Sequence, residues 1–577
     1  MSVKTRANNK DITETGDSVT ESMFTDLIDS SPNIKDDKIK GAVDTIADLN
    51  ALTQSDFTDG TYVQVNGYYS RGDGGGGIFF WDSSESQTNH NGGTIIDPDH
   101  TQTIGSSAWY SSENSGSGCW KRIIKNNIIA SWFGIRYNDS STSIKLNNTN
   151  AFQKIIDLYS GVDDDDSIWI QINGLIHHNG LEIKEGTRIK GSGSSHRYGS
   201  GNTKTAGFIN KDGHGLYTAD SNETKNNIHL YYIYIEAKKA SPYKALWLNR
   251  AAVFDLKNVV VKDSQDGIYF YGSLIGSVNN CKTDSNVNGL VFRNRETSGI
   301  DKDENSKSYT TAVGTNLIQF YTHRANQNTG AGAYIPTGSV NGITFFGGEF
   351  EQNTNGTSDS CGVKFEGNSE SVSFYATWFE RNDYSIRSIS VAPKKLKLDS
   401  IRSINPNTEG ISLDDVNDLY AVNNVITDSS VVISSGDGHY TNNTLNGSST
   451  EDLSGFEGNR YDGAKWRGNA GSVDANEGDI ITDGNWNNLD LSSVTPKGQY
   501  LLNLRVRISD SSTGRSISFR SGRGTSGFNR SVCESIIANQ SLEFDIWVQA
   551  SNGVIQYLSN GIDICRITVK NWVHTEV

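Results

Sequence analysis

The sequence predicts an all-β chain whose longest part is a right-handed parallel β-helix, with a small N-terminal β-rich domain before it and a C-terminal antiparallel β-sandwich after it. The first observation is a pattern written twice, FFGGEFEQN at 345–353 and FYATWFERN at 374–382, with the closing asparagines Asn353 and Asn382 29 positions apart. That spacing is long for a hairpin and short for a βαβ unit, and it suits one turn of a solenoid. The second is a recurrence of short strands at a period of roughly 22 to 25 residues, with glycines at one edge and asparagines at another. The third is composition: 35% hydrophobic residues with 59 glycines and only 7 prolines suit a slim coil with a narrow apolar seam and much polar surface.

Residues 1–41 are polar and charged, apart from an apolar cluster at Met23, Phe24, Leu27 and Ile28. They read as a tail or as a docking peptide that folds on a partner. From Ala42 the chain becomes strand-like, with TYVQVNGYYSRGDGGGGIFFWD, GGTIID and CWKRI. Gly72 and Gly74 to Gly77 lack a following Lys-Ser/Thr and a helix pattern, so they predict a tight hairpin before a strand at Ile78 rather than a phosphate cradle. A helix over NTNAFQKIIDLY, capped by Asn150 with Phe152, Ile155, Ile156 and Tyr159 on one face, closes the head domain at about residue 165. Asp163 to Asp166 lack the alternating ligands of a calcium loop and read as a solvated turn.

The solenoid is expected over 166–454, with Gly267, Gly289, Gly362 and Gly410 at one edge and Asn286, Asn326, Asn353, Asn382 and Asn405 at the other. The step from Asn286 to Asn326 is 40 residues, so the segment 297–314 is expected to be an insertion beside the acidic column. A linker follows at 455–478. Alternating strands such as YLLNLRVRI and SLEFDIWVQA make residues 479–577 the sandwich.

A formal net charge of −16 argues against nucleic acid as a partner, because phosphate binding needs concentrated Lys and Arg. No apolar run is long enough to span a bilayer, and the first residues lack a signal-peptide core. The five cysteines are scattered and odd in number, which predicts buried thiols rather than disulfides or a zinc site. No metal or cofactor is signalled.

Residues 42 to 161 resemble the head of bacteriophage tailspike proteins that degrade bacterial surface polysaccharide, and the remainder is similar to them in architecture. The resemblance implies a tailspike of a phage infecting encapsulated enterobacteria such as Klebsiella, carried on the virion tail after synthesis in the host cytoplasm and acting at the cell surface. It further implies a parallel, elongated homotrimer closed by the C-terminal domain, with the N-terminal segment docked to another tail protein.

Period-two alternation turns Phe350 and Phe379 inward and Glu349, Glu351, Trp378 and Glu380 outward. Aligning Asn326 with Asn353 sets His323 at the inward slot of Phe350 and Arg324 beside Glu351, and gives an outer column of Asp284, Arg324, Glu351 and Glu380. Carboxylates with an aromatic ring suit a sugar chain. Two carboxyl groups suffice for glycoside hydrolysis, one protonated and one ionised. The expected catalytic residues are Glu349 as acid beside Trp378, Glu351 as base kept ionised by Arg324, and Glu380 as the alternative second carboxylate. Arg324, Trp378, Arg381, Asp284, His323 and Tyr375 are the expected substrate-binding residues. A lyase would use His323 or Tyr375 as base and Arg324 or Arg381 against a uronate, whereas an adhesin would only hold the sugar. His323 reads more readily as a core histidine.

Overall fold

The computed structural model describes residues 39–574 except 53, 112, 162–167, 193–204, 337–339, 358–359, 368, 390–392, 442, 448, 454–473, 493–494, 496–498, 522–530 and 535–536. Residues 1–38 of the docking segment, the Asp163 to Asp166 run and most of the linker therefore lie outside the described residues, while the strand Ile39–Val43 crosses the expected boundary at 41. The chain divides into two compact units, Met1–Ser369 with Trp378–Arg387, and Glu370–Thr377 with Ser388–Val577.

In the first unit, Tyr62–Val65, Gly77–Ser86, Ser117–Arg122 and Ile95–Ile96 form an antiparallel sheet, extended by Ile39–Val43 pairing parallel to Tyr62–Val65. The glycine run is explained by one cation. Arg122 is buried and donates to the carbonyls of Gly75 at 2.9 Å, Gly76 at 2.7 Å and Gly93 at 3.1 Å. A Cβ on Gly77 would stand 2.4 Å from its Nη1 and one on Gly76 2.5 Å from the Val65 carbonyl, so only glycine lets the backbone close around the guanidinium. The loop's carbonyls face inward, the reverse of a phosphate cradle.

The helix runs over Thr142–Tyr159 with Ser141 at its N-cap position, not from Asn150. The polar lead-in is helical because Ile144 is buried and Asn148, also buried, exchanges two hydrogen bonds with the Arg136 backbone at 2.9 Å each. Tertiary contacts outweigh the local preference of asparagine for caps.

Three parallel sheets form the coil, each turn contributing one short strand to each. Stacking begins before the helix, where Asn127–Ile129 pairs with Trp169–Ile172 in the first sheet. Around the two signature copies, Asn316–Tyr321 and Ile343–Phe346 belong to the first sheet, Lys282–Asp284, Arg324–Asn326, Glu349–Glu351 and Trp378–Glu380 to the second, and Asn288–Arg293, Ala331–Ile335 and Cys361–Phe365 to the third. Phe350 and Phe379 stack face to face inside, with centroids 5.1 Å apart and planes 9° apart.

The corner between the second and third sheets is held by a buried amide ladder. Asn286 Nδ2 donates to Asn328 Oδ1 at 3.3 Å, Asn328 Nδ2 to Asn353 Oδ1 at 2.8 Å, and Asn353 Nδ2 to Asn382 Oδ1 at 2.8 Å. Each acceptor oxygen also takes the backbone N–H of the asparagine one turn back. The member between Asn286 and Asn353 is thus Asn328, not Asn326, and Asn405 is a left-handed turn residue with φ 46°. The edge glycines follow the same logic. Gly332 joins Gly267, Gly289 and Gly362, and a Cβ on any of these four would lie 2.4–2.7 Å from the carbonyl oxygen of the next turn.

The second unit has parallel turns of its own, among them Leu396–Asp399, Arg402–Ile404 and Glu409–Leu413, up to Thr450–Asp452. The C-terminal strands form two layers. Trp486–Asp490, Val554–Ser559, Ser516–Ser521 and Ser531–Glu534 make one; Leu542–Ser551, Gln499–Ser509 and Ile564–His574 make the other. They join where Ser551 pairs with Val554 and share a core that includes Leu504, Val506, Phe519, Tyr557 and Ile567. All five cysteines are buried free thiols.

Replacing Asn353 by Leu leaves both the backbone N–H and the Nδ2 of Asn328 without their acceptor. The expected cost is on the order of 3 kcal/mol for two buried donors, read as a lower melting temperature; an unchanged melting temperature would contradict the ladder's role.

Candidate active site

The second sheet carries the acidic patch on its outer face. In register, Lys282, Arg324, Glu349 and Trp378 form one column and Asp284, Asn326, Glu351 and Glu380 the next. Both signature strands have a buried phenylalanine between two half-buried residues, as the alternation requires.

The register corrects the expected neighbours. Arg324 lies opposite Glu349, with Nε 3.8 Å from Oε1, and Asn326 takes the position opposite Glu351 while donating to Glu349 Oε1 at 2.7 Å. Ala325, not His323, fills the slot of Phe350. His323 is nonetheless an interior residue, 1% exposed, with Nε2 3.2 Å from Thr283 Oγ1. The segment RANQN contains two asparagines, and the ladder uses the second. The repeated wording KTDSN, RANQN, EFEQN and WFERN, aligned on its last residue, carries that signal in the sequence; it moves Asn326 from the ladder to the outer face and adds Gln327 and Gln352 at the corner. Ser285, Gln327, Gln352 and Arg381 all turn the corner with φ between 51° and 58°.

Glu351 accepts from Arg381 Nη2 at 2.5 Å and from Gln352 Nε2 at 3.3 Å. Glu380 accepts from the Trp378 indole N–H at 3.0 Å and from Arg381 Nε at 3.1 Å. The indole, expected to shield Glu349, thus donates to Glu380, and the carboxyl pushed above the usual glutamate range is that of Glu351. Partial burial is the main cause, and repulsion from Glu349 and Glu380 adds to it while the Arg381 charge opposes both. Burial and like charge favour the neutral acid; the cation favours the carboxylate.

Asp284 is nearly buried, with Lys282 Nζ at 3.1 Å and Lys262 Nζ at 3.6 Å from the same Oδ2. Tyr375 belongs to the second unit, where Lys397 Nζ lies 4.8 Å from its ring centre. The 297–314 insertion does not stand beside the acidic column. It forms a hairpin, Ser298–Ile300 with Ser306–Ser308, and packs Tyr309 and Ile300 against Trp247, Tyr269 and Tyr271 on the third sheet. A fully buried Lys244 fastens its tip through Glu304 at 3.1 Å.

Two opposite shifts are expected in carbon-13 NMR titration of the Glu351 carboxyl. Arg381→Gln removes the lowering charge and moves the titration to higher pH; Glu349→Gln removes a repelling charge and moves it lower. Shifts of the reverse sign would contradict this electrostatic arrangement.

Residues 42–125 match the family model for the phage tail protein small four-stranded β-sheet domain. Among curated protein sequences none is significantly similar to the chain. Solved structures with a similar trace include the enzymatically active domain of tailspike protein 2 from bacteriophage CBA120, at 10% identity over 93% of this chain and 91% of that one, TM-score 0.47. Another is the tailspike gp49 of Acinetobacter baumannii bacteriophage Fri1, a capsular polysaccharide depolymerase, at 12% identity over 92% of this chain and 98% of that one, TM-score 0.43. The fold itself rests on the strand pairing described above. The chain thus carries, over residues 42–125, a domain that matches the small four-stranded β-sheet domain of phage tail proteins, and a parallel coil follows it in the sequence.

Proposed function

We propose that this tail protein binds and depolymerises a bacterial capsular or related surface polysaccharide by endo-acting glycoside hydrolysis on the outer face of its second sheet. The observation that carries the reading is the set of three carboxylates within one strand and one turn of each other, in unequal surroundings. Burial and the neighbouring carboxylates raise the proton affinity of Glu351, which suits an acid; Glu349 faces the guanidinium of Arg324 and takes a donated N–H from Asn326.

The roles therefore exchange relative to the sequence expectation. Glu351 gives its proton to the leaving glycosidic oxygen. Glu349 takes a proton from water as that water attacks the anomeric carbon from the opposite face. Residues two apart on a strand have Cα atoms about 6.6 Å apart, and side chains from them reach the roughly 6.5 to 9.5 Å of inverting enzymes. Glu380 and Trp378 hold the sugar, the ring against its apolar face. A lyase reading loses one base, because His323 is enclosed in the coil. New reducing ends without an ultraviolet-absorbing unsaturated product mark the hydrolase. An unsaturated product would mark the lyase, and intact polymer the adhesin.

Glu349→Gln, Glu351→Gln and Glu380→Gln, each checked for folding, test the assignment. Loss of the acid or base is expected to cut kcat by about 100-fold or more while sugar binding persists. Near wild-type turnover in all three would place the chemistry elsewhere.

We further propose that the working assembly is a parallel homotrimer. An exposed apolar stripe supports it: Val253, Ile275 and Leu317 are stacked on successive turns, 48%, 54% and 58% exposed, with φ of 52°, 51° and 55°. Left-handed backbone costs a side chain about 1–2 kcal/mol, a cost that burial against neighbouring copies offsets. Ile275→Asp is expected to lower the mass in solution without unfolding the chain; a fully active wild-type monomer would overturn the proposal. Removal of residues 1–38, which we assign to docking on another tail protein, is expected to spare activity.

A further inference from the structure

In the column Asp284, Asn326, Glu351 and Glu380, Asn326 is the uncharged member. It is 8% exposed, and its Nδ2 donates to Glu349 Oε1 at 2.7 Å. That bond fixes which way the amide faces, because an ionised carboxylate can only accept. The other end, Oδ1, is buried, and no donor among the described residues lies within hydrogen-bond distance of it. A buried carbonyl oxygen without a donor is costly, so the neighbours decide what can serve it. On the turn before stands Asp284, engaged at Oδ2 by Lys262 and Lys282 and at Oδ1 by Ser285. On the turn after, directly opposite, stands Glu351, one strand spacing of about 4.8 Å away. Oδ1 is closed to solvent, which keeps a sugar hydroxyl from it; a carboxyl on the adjoining strand of the same face is within its reach.

We propose that Asn326 is a positioning residue for the proton of Glu351: when Glu351 is protonated its hydroxyl donates to Asn326 Oδ1, while the same amide keeps Nδ2 on Glu349. One side chain then treats the two carboxyl groups oppositely, Glu349 as an acceptor and Glu351 as a donor. The other groups facing Glu351 are the Arg381 guanidinium at 2.5 Å and Gln352 Nε2 at 3.3 Å, both donors, and the carboxylates of Glu349 on its own strand and Glu380 on the next turn. The side-chain carbonyl of Gln352 already accepts from Gln327 at 3.1 Å. The part Asn326 plays in turnover rests on the reading of Glu351 as the acid of a hydrolase; the hydrogen bond does not.

The test reads protonation apart from activity. In the intact protein with carbon-13 in the side-chain carbonyls of asparagine and glutamate, the Asn326 signal is expected to move with pH at the midpoint of the Glu351 titration. In Glu351→Gln, whose amide donates at every pH, that movement is expected to vanish. A bond to the neutral acid favours that form, so its loss lowers the pH at which Glu351 gives up its proton. Asn326→Leu, similar in size and without polar atoms, is therefore expected to move the Glu351 titration about one pH unit lower, in the wild type and in the Glu349→Gln background alike. An asparagine that only braces Glu349 would leave the Glu351 titration unmoved in the Glu349→Gln background. The alkaline limb of the kcat profile is expected to follow the same shift; if the titration moves and no polymer is cleaved, the positioning role stands and the hydrolase reading falls. An unmoved Glu351 titration in Asn326→Leu overturns the inference. So does an Asn326 signal indifferent to the Glu351 titration, a result that depends on no variant folding.

Discussion

Everything on the outer face of the second sheet depends on the buried amide ladder. A coil of parallel strands has no hairpin to set its register, and a slip of one residue would send Phe350 and Phe379 to solvent and the glutamates into the interior. Asn286, Asn328, Asn353 and Asn382 prevent this because the side-chain oxygens of the last three each accept two N–H groups from the turn before, and that of Asn286 accepts the N–H and the hydroxyl of Ser264. In the dry interior an unmatched donor is expensive, so each asparagine fits one height and one neighbour. The phenylalanine stack adds apolar burial, which is not directional; the amides supply the direction.

Once the register is fixed, chemistry becomes a matter of columns. The residue two places before Asn353 must stand next to the residue two places before Asn382, and those are Glu351 and Glu380. The residue four places before must stand next to its counterpart, which brings Arg324, Glu349 and Trp378 into line. Like-charged carboxylates are thereby held closer than solution would tolerate, and the repulsion is part of what raises Glu351. The same stacking that builds the core therefore contributes to the raised proton affinity of Glu351.

The coil and the acidic face were legible because period-two alternation and two nearly identical nonapeptides leave little freedom. What misled was a local ambiguity. RANQN offers two asparagines, and choosing Asn326 over Asn328 moved Arg324 from Glu349 to Glu351. Missing Gly332 in the glycine column had the same origin, a turn lengthened by the 297–314 hairpin. The helix starts earlier than the cap expected at Asn150 because the Arg136 backbone and the His177 carbonyl make Asn148 an interior residue. The raised proton affinity of Glu351 could not be read from spacing, since it arises from burial and from Arg381, Glu349 and Glu380 acting on it together.

The most direct measurement is a crystal structure of the Glu351→Gln variant with an oligosaccharide of the bacterial surface polysaccharide that the proposal assigns to it. The account predicts sugar density along the outer face of the second sheet, a ring against Trp378, and a glycosidic oxygen within hydrogen-bond distance of residue 351. Sugar bound on the third sheet or on the C-terminal layers, with the second sheet empty, would contradict it.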